Sequence, residues 1–207
     1  MPVPRRLRGR ITVEPGPVFA ETHRLDAAGR HLWRPIAPCG RVSVAFDRPG
    51  LTWQGGAYVD MNAGAEPLEA GFRRWGWARE DGDGATRIRY DLVGRAGDRR
   101  RLALAYGADG SLSAIEPAPL HPLPRTGWRV AREAGGEQAP RVLRTLEDTP
   151  FYSRSMLGCT GAGGERRAIH ETVDLDRFSA RWVQMLLPFK MPRWTRGSAA
   201  PRSRTGG

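Results

Sequence analysis

Phe72-Arg73-Arg74-Trp75-Gly76-Trp77-Ala78, followed by Glu80-Asp81-Gly82-Asp83-Gly84 and then by Thr86-Arg87-Ile88-Arg89-Tyr90-Asp91-Leu92-Val93, is the stretch that decides the fold. Its outer parts carry β-formers or alternate apolar with charged residues, the two-residue period of a half-buried strand. Its centre is an acidic, glycine-rich turn, so the whole reads as an antiparallel hairpin. Similar segments occur at Arg8 to Val13, Arg41 to Phe46, Leu51 to Tyr58, Arg101 to Tyr106 and Arg141 to Leu146, with a further turn at Ala108-Asp109-Gly110. They recur roughly every 10 to 15 residues, the rhythm of a meander or barrel, with no βαβ alternation. Pro117 to Pro124 holds four prolines and reads as a surface connection. Asp174 to Leu187 places Phe178, Trp182 and Met185 at helical spacing, with an acidic start and Pro188 just beyond, which predicts one amphipathic helix. The fold class expected is all-β, an antiparallel barrel or sandwich with one C-terminal amphipathic helix. It forms a single domain over residues 1–194, and the small, polar, basic stretch 195–207 is expected to be a disordered tail.

Composition points the same way. The chain has 207 residues, and its 26 glycines and 17 prolines favour many turns over long helices. The net charge of +11 comes almost entirely from arginine, because Lys190 is the sole lysine. The arginines are scattered, and the tryptophans sit beside Gly, Pro and Asp rather than between basic residues, so no nucleic-acid partner is expected. Cys39 and Cys159 stand far apart, and His23, His31, His121 and His170 show no ligand spacing, so no metal is expected. Phosphate-binding loops, dinucleotide fingerprints and nucleophile elbows are missing from the sequence, and the chemistry is expected to need no cofactor. No secretion signal is visible in the basic start. The longest strongly apolar piece, Met185 to Phe189, is far short of the ~18 residues of a membrane span, so any membrane contact is expected to be peripheral.

Candidate site residues lie in His31-Leu32-Trp33-Arg34-Pro35 and in Tyr58-Val59-Asp60, with Trp75-Gly76-Trp77 beyond them. In a strand, residues i and i+2 share a face, so His31 with Trp33, and Tyr58 with Asp60, can project together into one cavity. Gly55-Gly56 suggests a bulge or a close backbone approach. Taken alone, each residue has an ordinary use: Asp60 as a hydrogen-bonded structural group, His31 as a loop anchor, and Trp33, Trp53, Trp75 and Trp77 as core or rim aromatics. Together they furnish an acid beside aromatic walls, suited to a long apolar ligand.

At these residues the chain resembles the carotenoid 1,2-hydratases, also called the hydroxyneurosporene synthase family. The matching strings are Gly29 to Pro38 (GRHLWRPIAP), Trp53 to Glu69 (WQGGAYVDMNAGAEPLE), Trp75-Gly76-Trp77, Thr145 to Ser155 (TLEDTPFYSRS) and Leu187 to Arg193 (LPFKMPR). The resemblance implies tandem lipocalin-like β-barrels and a hydro-lyase that adds water across the terminal C1–C2 double bond of acyclic carotenoids such as neurosporene or lycopene. It places the reaction in the hydroxylated carotenoid pathways of phototrophic bacteria, on the cytoplasmic side of the inner or photosynthetic membrane. The family's His-x-Trp and Tyr-x-Asp pairs fall on His31, Trp33, Tyr58 and Asp60, with Trp53, Trp75 and Trp77 as substrate-binding aromatics.

The chemistry the resemblance implies is acid protonation of the alkene, formation of a tertiary cation and attack by water. Asp60 would be the acid, its proton retained by burial. His31 or Tyr58 would hydrogen-bond Asp60, His31 could serve as the base for water, and the faces of Trp33 and Tyr58 would stabilise the cation. Glu66, Asp148 and Glu171 are reserve carboxylates with structural roles as the default. Family members are about twice this length, and the chain resembles their second half, so a substrate tunnel shared between halves would be incomplete here. Two other readings stay open: a non-catalytic lipocalin-like module for isoprenoids or membrane surfaces, and an inactive fragment of the hydratase.

Overall fold

A computed structural model describes residues 6–161 and 164–189 of the chain. Its strands are β1 Arg8–Glu14, β2 His23–Arg24, β3 His31–Arg48, β4 Leu51–Gly64, β5 Phe72–Gly82, β6 Ala85–Gly94, β7 Arg99–Gly107, β8 Leu112–Ala114, β9 Leu120–Leu123, β10 Arg132–Gly135, β11 Arg141–Asp148, β12 Tyr152–Gly161 and β13 Gly164–Asp174. Three short helices complete it: α1 Leu68–Gly71, α2 Leu175–Phe178 and α3 Arg181–Leu186.

The hairpin that opened the sequence reading is β5–β6. It turns on Asp83 and Gly84, whose φ values of 52° and 70° are the left-handed pair that a two-residue turn between twisted strands requires. Around it grows a seven-stranded antiparallel sheet in the order β11-β12-β13-β5-β6-β7-β8. A second sheet is organised by the long strand β3, which pairs with β4 along one edge and with β1 and β2 along the other. Two register shifts, between Pro35 and Ala37 and between Ala37 and Gly40, interrupt the β3–β4 ladder.

The two sheets face each other. Inward residues of β3 (Trp33) and of β5 and β6 (Trp77, Ile88, Tyr90, Leu92) share one core with Phe19, Leu25, Phe72, Leu104 and Tyr106. Strand β6 shows why: its residues alternate between buried and half-buried from end to end, because its opposite face is covered too. On that opposite face a second, smaller core forms from Leu123, Ala134, Leu157, Cys159 and Ala168, under the two-stranded β9–β10 pair. The fold is therefore all-β, antiparallel and lipocalin-like.

Three expectations change. Leu120–Leu123, inside the proline-rich connection, is a short strand paired with β10; Pro122 sits opposite Glu133 in that two-stranded ladder, where a missing N–H is tolerated. Strands β12 and β13 were hidden by runs of polar residues such as Ser153, Ser155 and Thr172, which are buried in the sheet. The single C-terminal helix is two. The Ser179 hydroxyl donates back to the Leu175 carbonyl, and Ala180 is extended (φ −67°, ψ 132°), so the helix stops and restarts. The buried residues of these helices are Leu175 and Val183, while Trp182 and Met185 are exposed. The proposed tail over 195–207, and residues 190–194 before it, lie outside the described residues.

Candidate functional site

Strands β3 and β4 bring the two dipeptide patterns together. Their register sets His31 opposite Gly64, Trp33 opposite Asn62 and Pro35 opposite Asp60, so Asp60 and Tyr58 approach Trp33 diagonally on the inward face. The Trp33 indole Nε1–H donates to Asp60 Oδ2 at 3.0 Å and lies 3.1 Å from the Tyr58 hydroxyl. That hydroxyl in turn donates to the same Asp60 Oδ2 at 3.0 Å. One carboxylate oxygen thus takes both donors, and Oδ1 has no protein donor among the described residues.

Burial, and after it the field of Asp60, pushes the Tyr58 phenol well above its ordinary range. The same two causes raise Tyr90. Both hydroxyls therefore stay protonated and act as donors at any ordinary pH. Tyr90 lies 3.5 Å from Asn62 Oδ1, at the weak end of hydrogen bonding, and meets Trp33 edge-on with ring centroids 4.9 Å apart. His23 covers another side of Trp33, at 5.3 Å, while its Nε2 meets the Tyr106 hydroxyl at 3.1 Å.

Trp77 packs against Tyr58 at 5.2 Å and Trp75 meets Tyr90 edge-on at 6.2 Å. The Arg79 guanidinium stands 5.8 Å over the Tyr58 ring, held by Asp81 at 2.9 Å. Gly56 leaves room for it: a Cβ there would lie 3.3 Å from Arg79 Nη2. The close approach expected of Gly55-Gly56 is thus found at Gly56. The rings of Trp33 and Tyr58 are therefore packed against His23, Tyr90, Trp77 and Arg79, and what they present to the site is their N–H and O–H groups.

His31 is on the same face but makes no hydrogen bond to Asp60. Its Nδ1 and its backbone N–H both bond Asp26 Oδ2, at 2.8 and 2.7 Å, and its ring packs on Phe72. It lines a cleft of about 270 Å³ with Leu25, Leu32, Asn62, Glu66 and Leu68. This is small for a ligand site, enough for the branched end of an isoprenoid and too little for a whole polyene. Trp53 is placed elsewhere, half-exposed beside Val44 in the far half of the β3–β4 ladder.

The reserve carboxylates divide. Asp148 Oδ2 accepts the backbone N–H of Gly127 at 2.7 Å, and Glu171 accepts from Arg154 at 2.8 Å; neither lines the cleft. Glu66 stands in the cleft. Sequence reading missed Asp26, His23, Asn62, Tyr90 and Arg79. Asp26-x-x-Gly29 carried a turn signal, Tyr90 is in phase with Ile88 and Leu92, and Asn62 continues the alternation of Tyr58 and Asp60; His23 and Arg79 had no local mark. Among the described residues no group of three or more His, Cys, Asp or Glu is gathered as a metal site.

Fold and site together define the chain as an antiparallel, lipocalin-like β protein in which one carboxyl, that of Asp60, is held by an indole and a phenol. Residues 1–200 match the family model of the carotenoid hydratase CrtC, and the chain belongs to that family. It is 46% identical over 196 residues to the acyclic carotenoid 1,2-hydratase of Thiocapsa roseopersicina, covering 93% of this chain and 48% of that protein. The corresponding protein of Rubrivivax gelatinosus is 41% identical with the same coverage. That of Cereibacter sphaeroides is 36% identical, with 69% of it covered. The chain thus spans about half the length of the first two relatives. A solved structure described as a putative AttH from Nitrosomonas europaea superposes with a TM-score of 0.55 at 16% identity, over 82% of this chain and 60% of that one, a likeness of fold.

Proposed function

We propose that this chain is a hydro-lyase that adds water across the terminal C1–C2 double bond of an acyclic carotenoid, neurosporene- or lycopene-like, to give the 1-hydroxy carotenoid. The observation that carries the reading is the double donation from Trp33 and Tyr58 to Asp60 Oδ2. In the neutral acid those donors make Oδ2 the carbonyl oxygen, so the proton sits on Oδ1. Protonation of the alkene at C2 by Oδ1–H leaves a tertiary cation at C1 and a carboxylate. That carboxylate is the form the two donors stabilise most, because hydrogen bonds to a charged acceptor are roughly twice as strong as neutral ones. Trp33 and Tyr58 therefore act on the acid. Stabilisation of the cation falls mainly to the carboxylate formed beside it. Water attack at C1 and loss of one water proton complete the addition, with nothing oxidised or reduced.

The substrate is lipid-soluble, and a peripheral contact with the inner or photosynthetic membrane is part of the reading. Support comes from the C-terminal turn, where Trp182, Met185, Leu187 and Phe189 are exposed together. No helix among the described residues is long and apolar enough to cross a membrane.

The deciding experiment supplies neurosporene or lycopene in mixed micelles to the purified chain and reads a mass gain of one water. Carotenoid that binds with its spectrum shifted but gains no water would instead support the non-catalytic module.

A further inference from the structure

We propose that Asp26 is a positioning residue that holds His31 as its Nδ1–H tautomer, so that Nε2, beside Glu66 on the cleft wall, takes the proton of the attacking water. The inference rests on the hydratase reading and assigns the water side of the reaction to the Asp26–His31 pair and its cleft.

The local chain explains the arrangement. Between β2 and β3, the Gly29 backbone N–H donates to the Asp26 carbonyl, and Gly29 takes a φ of 69° that favours glycine. This tight turn wraps Asp26 around the start of β3. Its carboxylate accepts the backbone N–H of Arg30 on Oδ1 at 3.1 Å, and that of His31 together with Nδ1–H on Oδ2. Burial alone would raise the Asp26 carboxyl, but the His31 side chain and the two backbone donors outweigh it and hold it below the usual carboxylate range. A charged acceptor fixed on Nδ1 leaves Nε2 as the bare nitrogen, the logic of a histidine oriented by a carboxylate in nucleophilic catalysis.

His31 is 2% exposed, and its Nε2 is buried with no protein partner among the described residues. Glu66 Oε1 is likewise buried and unpartnered, while its Oε2 carries Arg30 at 3.1 Å. Both unpartnered groups belong to residues lining the same cleft. Two glycines shape the space. A Cβ on Gly71 would sit 2.5 Å from His31 Cε1 and 3.3 Å from Glu66 Oε1, and one on Gly64 would sit 3.2 Å from His31 Cδ2. Any side chain at Gly71 would fill the gap between the imidazole and Glu66. Buried polar atoms without partners are costly, and two of them in one cleft, which Asn62 also lines two residues along β4 from Asp60, mark a place for a small polar reactant.

In the step assigned, a bond forms between the water oxygen and the cationic C1. One O–H bond of that water breaks, and its proton goes to the lone pair of His31 Nε2. The imidazolium then returns a proton to the Asp60 carboxylate through solvent, so each turnover consumes one water. The charged groups facing His31 are Asp26 from the turn before β3 and Glu66 from the segment after β4, with Arg30 on Glu66. Phe72 of β5 presents an apolar face to it.

The test uses the full chain labelled with ¹⁵N-histidine. In the wild type, the His31 nitrogen shifts are expected to show a protonated Nδ1 and a bare Nε2; an Nε2–H tautomer overturns the proposal without any variant. In hydration assays, Asp26→Asn, whose amide can donate to Nδ1 and so reverse the tautomer, is expected to lower kcat at least ~10-fold with little change in KM. Its His31 nitrogen shifts are expected to move toward the Nε2–H tautomer, a change a merely structural Asp26 would not produce. Asp26→Glu is expected to recover part of the rate and to restore the Nδ1–H tautomer. Gly71→Ala is expected to lower kcat with Asp26 intact. An unchanged kcat and an unchanged His31 tautomer in Asp26→Asn, beside an active wild type, defeat this inference alone. A wild-type chain that adds no water to carotenoid defeats the hydratase reading and this inference with it.

Discussion

Buried polar groups lie at both interfaces of the seven-stranded sheet, with β3–β4 packed on one face and β9–β10 on the other, and the two interfaces use them differently. Each holds a buried histidine. On the face toward β3, His31 bonds a carboxylate and leaves Nε2 without a protein partner among the described residues, where Asp60 Oδ1 likewise takes no protein donor. On the other face, His170 Nε2 meets the Glu133 carbonyl at 3.0 Å, and nearby Arg132 donates to Pro124 O at 2.7 Å and Ser155 Oγ at 2.6 Å. The second cluster ties β10 to β12 and β13 and spends these hydrogen bonds on the fold, while His170 Nδ1, Ser153 Oγ and Thr172 Oγ1 there are also buried without a protein partner among the described residues. On the proposed reading, the first keeps its groups for a reactant. Substitution should therefore cost activity on one face and stability on the other.

The strongest attempt to break that contrast is Asp60→Asn, which is close in shape and keeps an acceptor for Trp33 and Tyr58. Hydration is expected to fall by ~10²–10⁴ or more, with thermal unfolding within a few degrees of wild type. A large drop in melting temperature would show Asp60 to be structural. On the opposite face, Arg132→Leu should strand Ser155 Oγ and the Pro124 carbonyl and lower stability by about 4 kcal/mol, read by denaturant unfolding. Activity per folded molecule should be nearly unchanged.

His170 supplies a pH test. Burial first, and Arg132 among the lesser causes, lowers its pKa from 6.5 to about 4. The folded state thus favours the neutral ring, and the stability this confers is complete above pH 6.5 and lost as pH falls from 6.5 toward 4. The loss amounts to about 3 kcal/mol by linkage, and it should shrink in His170→Gln. Tyr58→Phe removes one of the two donors to Asp60 Oδ2 and is expected to slow hydration ~10-fold, with stability little affected. The smallest effect belongs to Trp53→Ala. Half-exposed and remote from Asp60, Trp53 should change neither activity beyond twofold nor stability beyond ~0.5 kcal/mol. A loss of substrate binding in that variant would restore it to the site.

Period-two patterning and turn chemistry were enough to read the β5–β6 hairpin, because both are local: Asp83-Gly84 accepts two positive φ angles, and Ile88, Tyr90 and Leu92 fall on one face. Strands β12 and β13 were not legible. Ser153, Ser155, His170 and Thr172 are polar residues buried by a layer, β9–β10, that lies far from them in the chain. The C-terminal helix misled for a related reason: Phe178, Trp182 and Met185 have helical spacing, but Ser179 and Ala180 end the first helix between them.

The same boundary runs through the site. By itself the sequence determined that His31 and Trp33, and Tyr58 and Asp60, share strand faces, since alternation is a property of any extended backbone. It also carried, in long matching strings, the family to which the chain belongs. Only the tertiary structure decided what those groups do for one another. The β3–β4 register, with its shifts after Pro35 and Ala37, sets Trp33 and Tyr58 on a single oxygen of Asp60, while the turn at Gly29 gives His31 to Asp26. Hydrogen bonds across strands depend on register and closure, and no spacing along one segment encodes either.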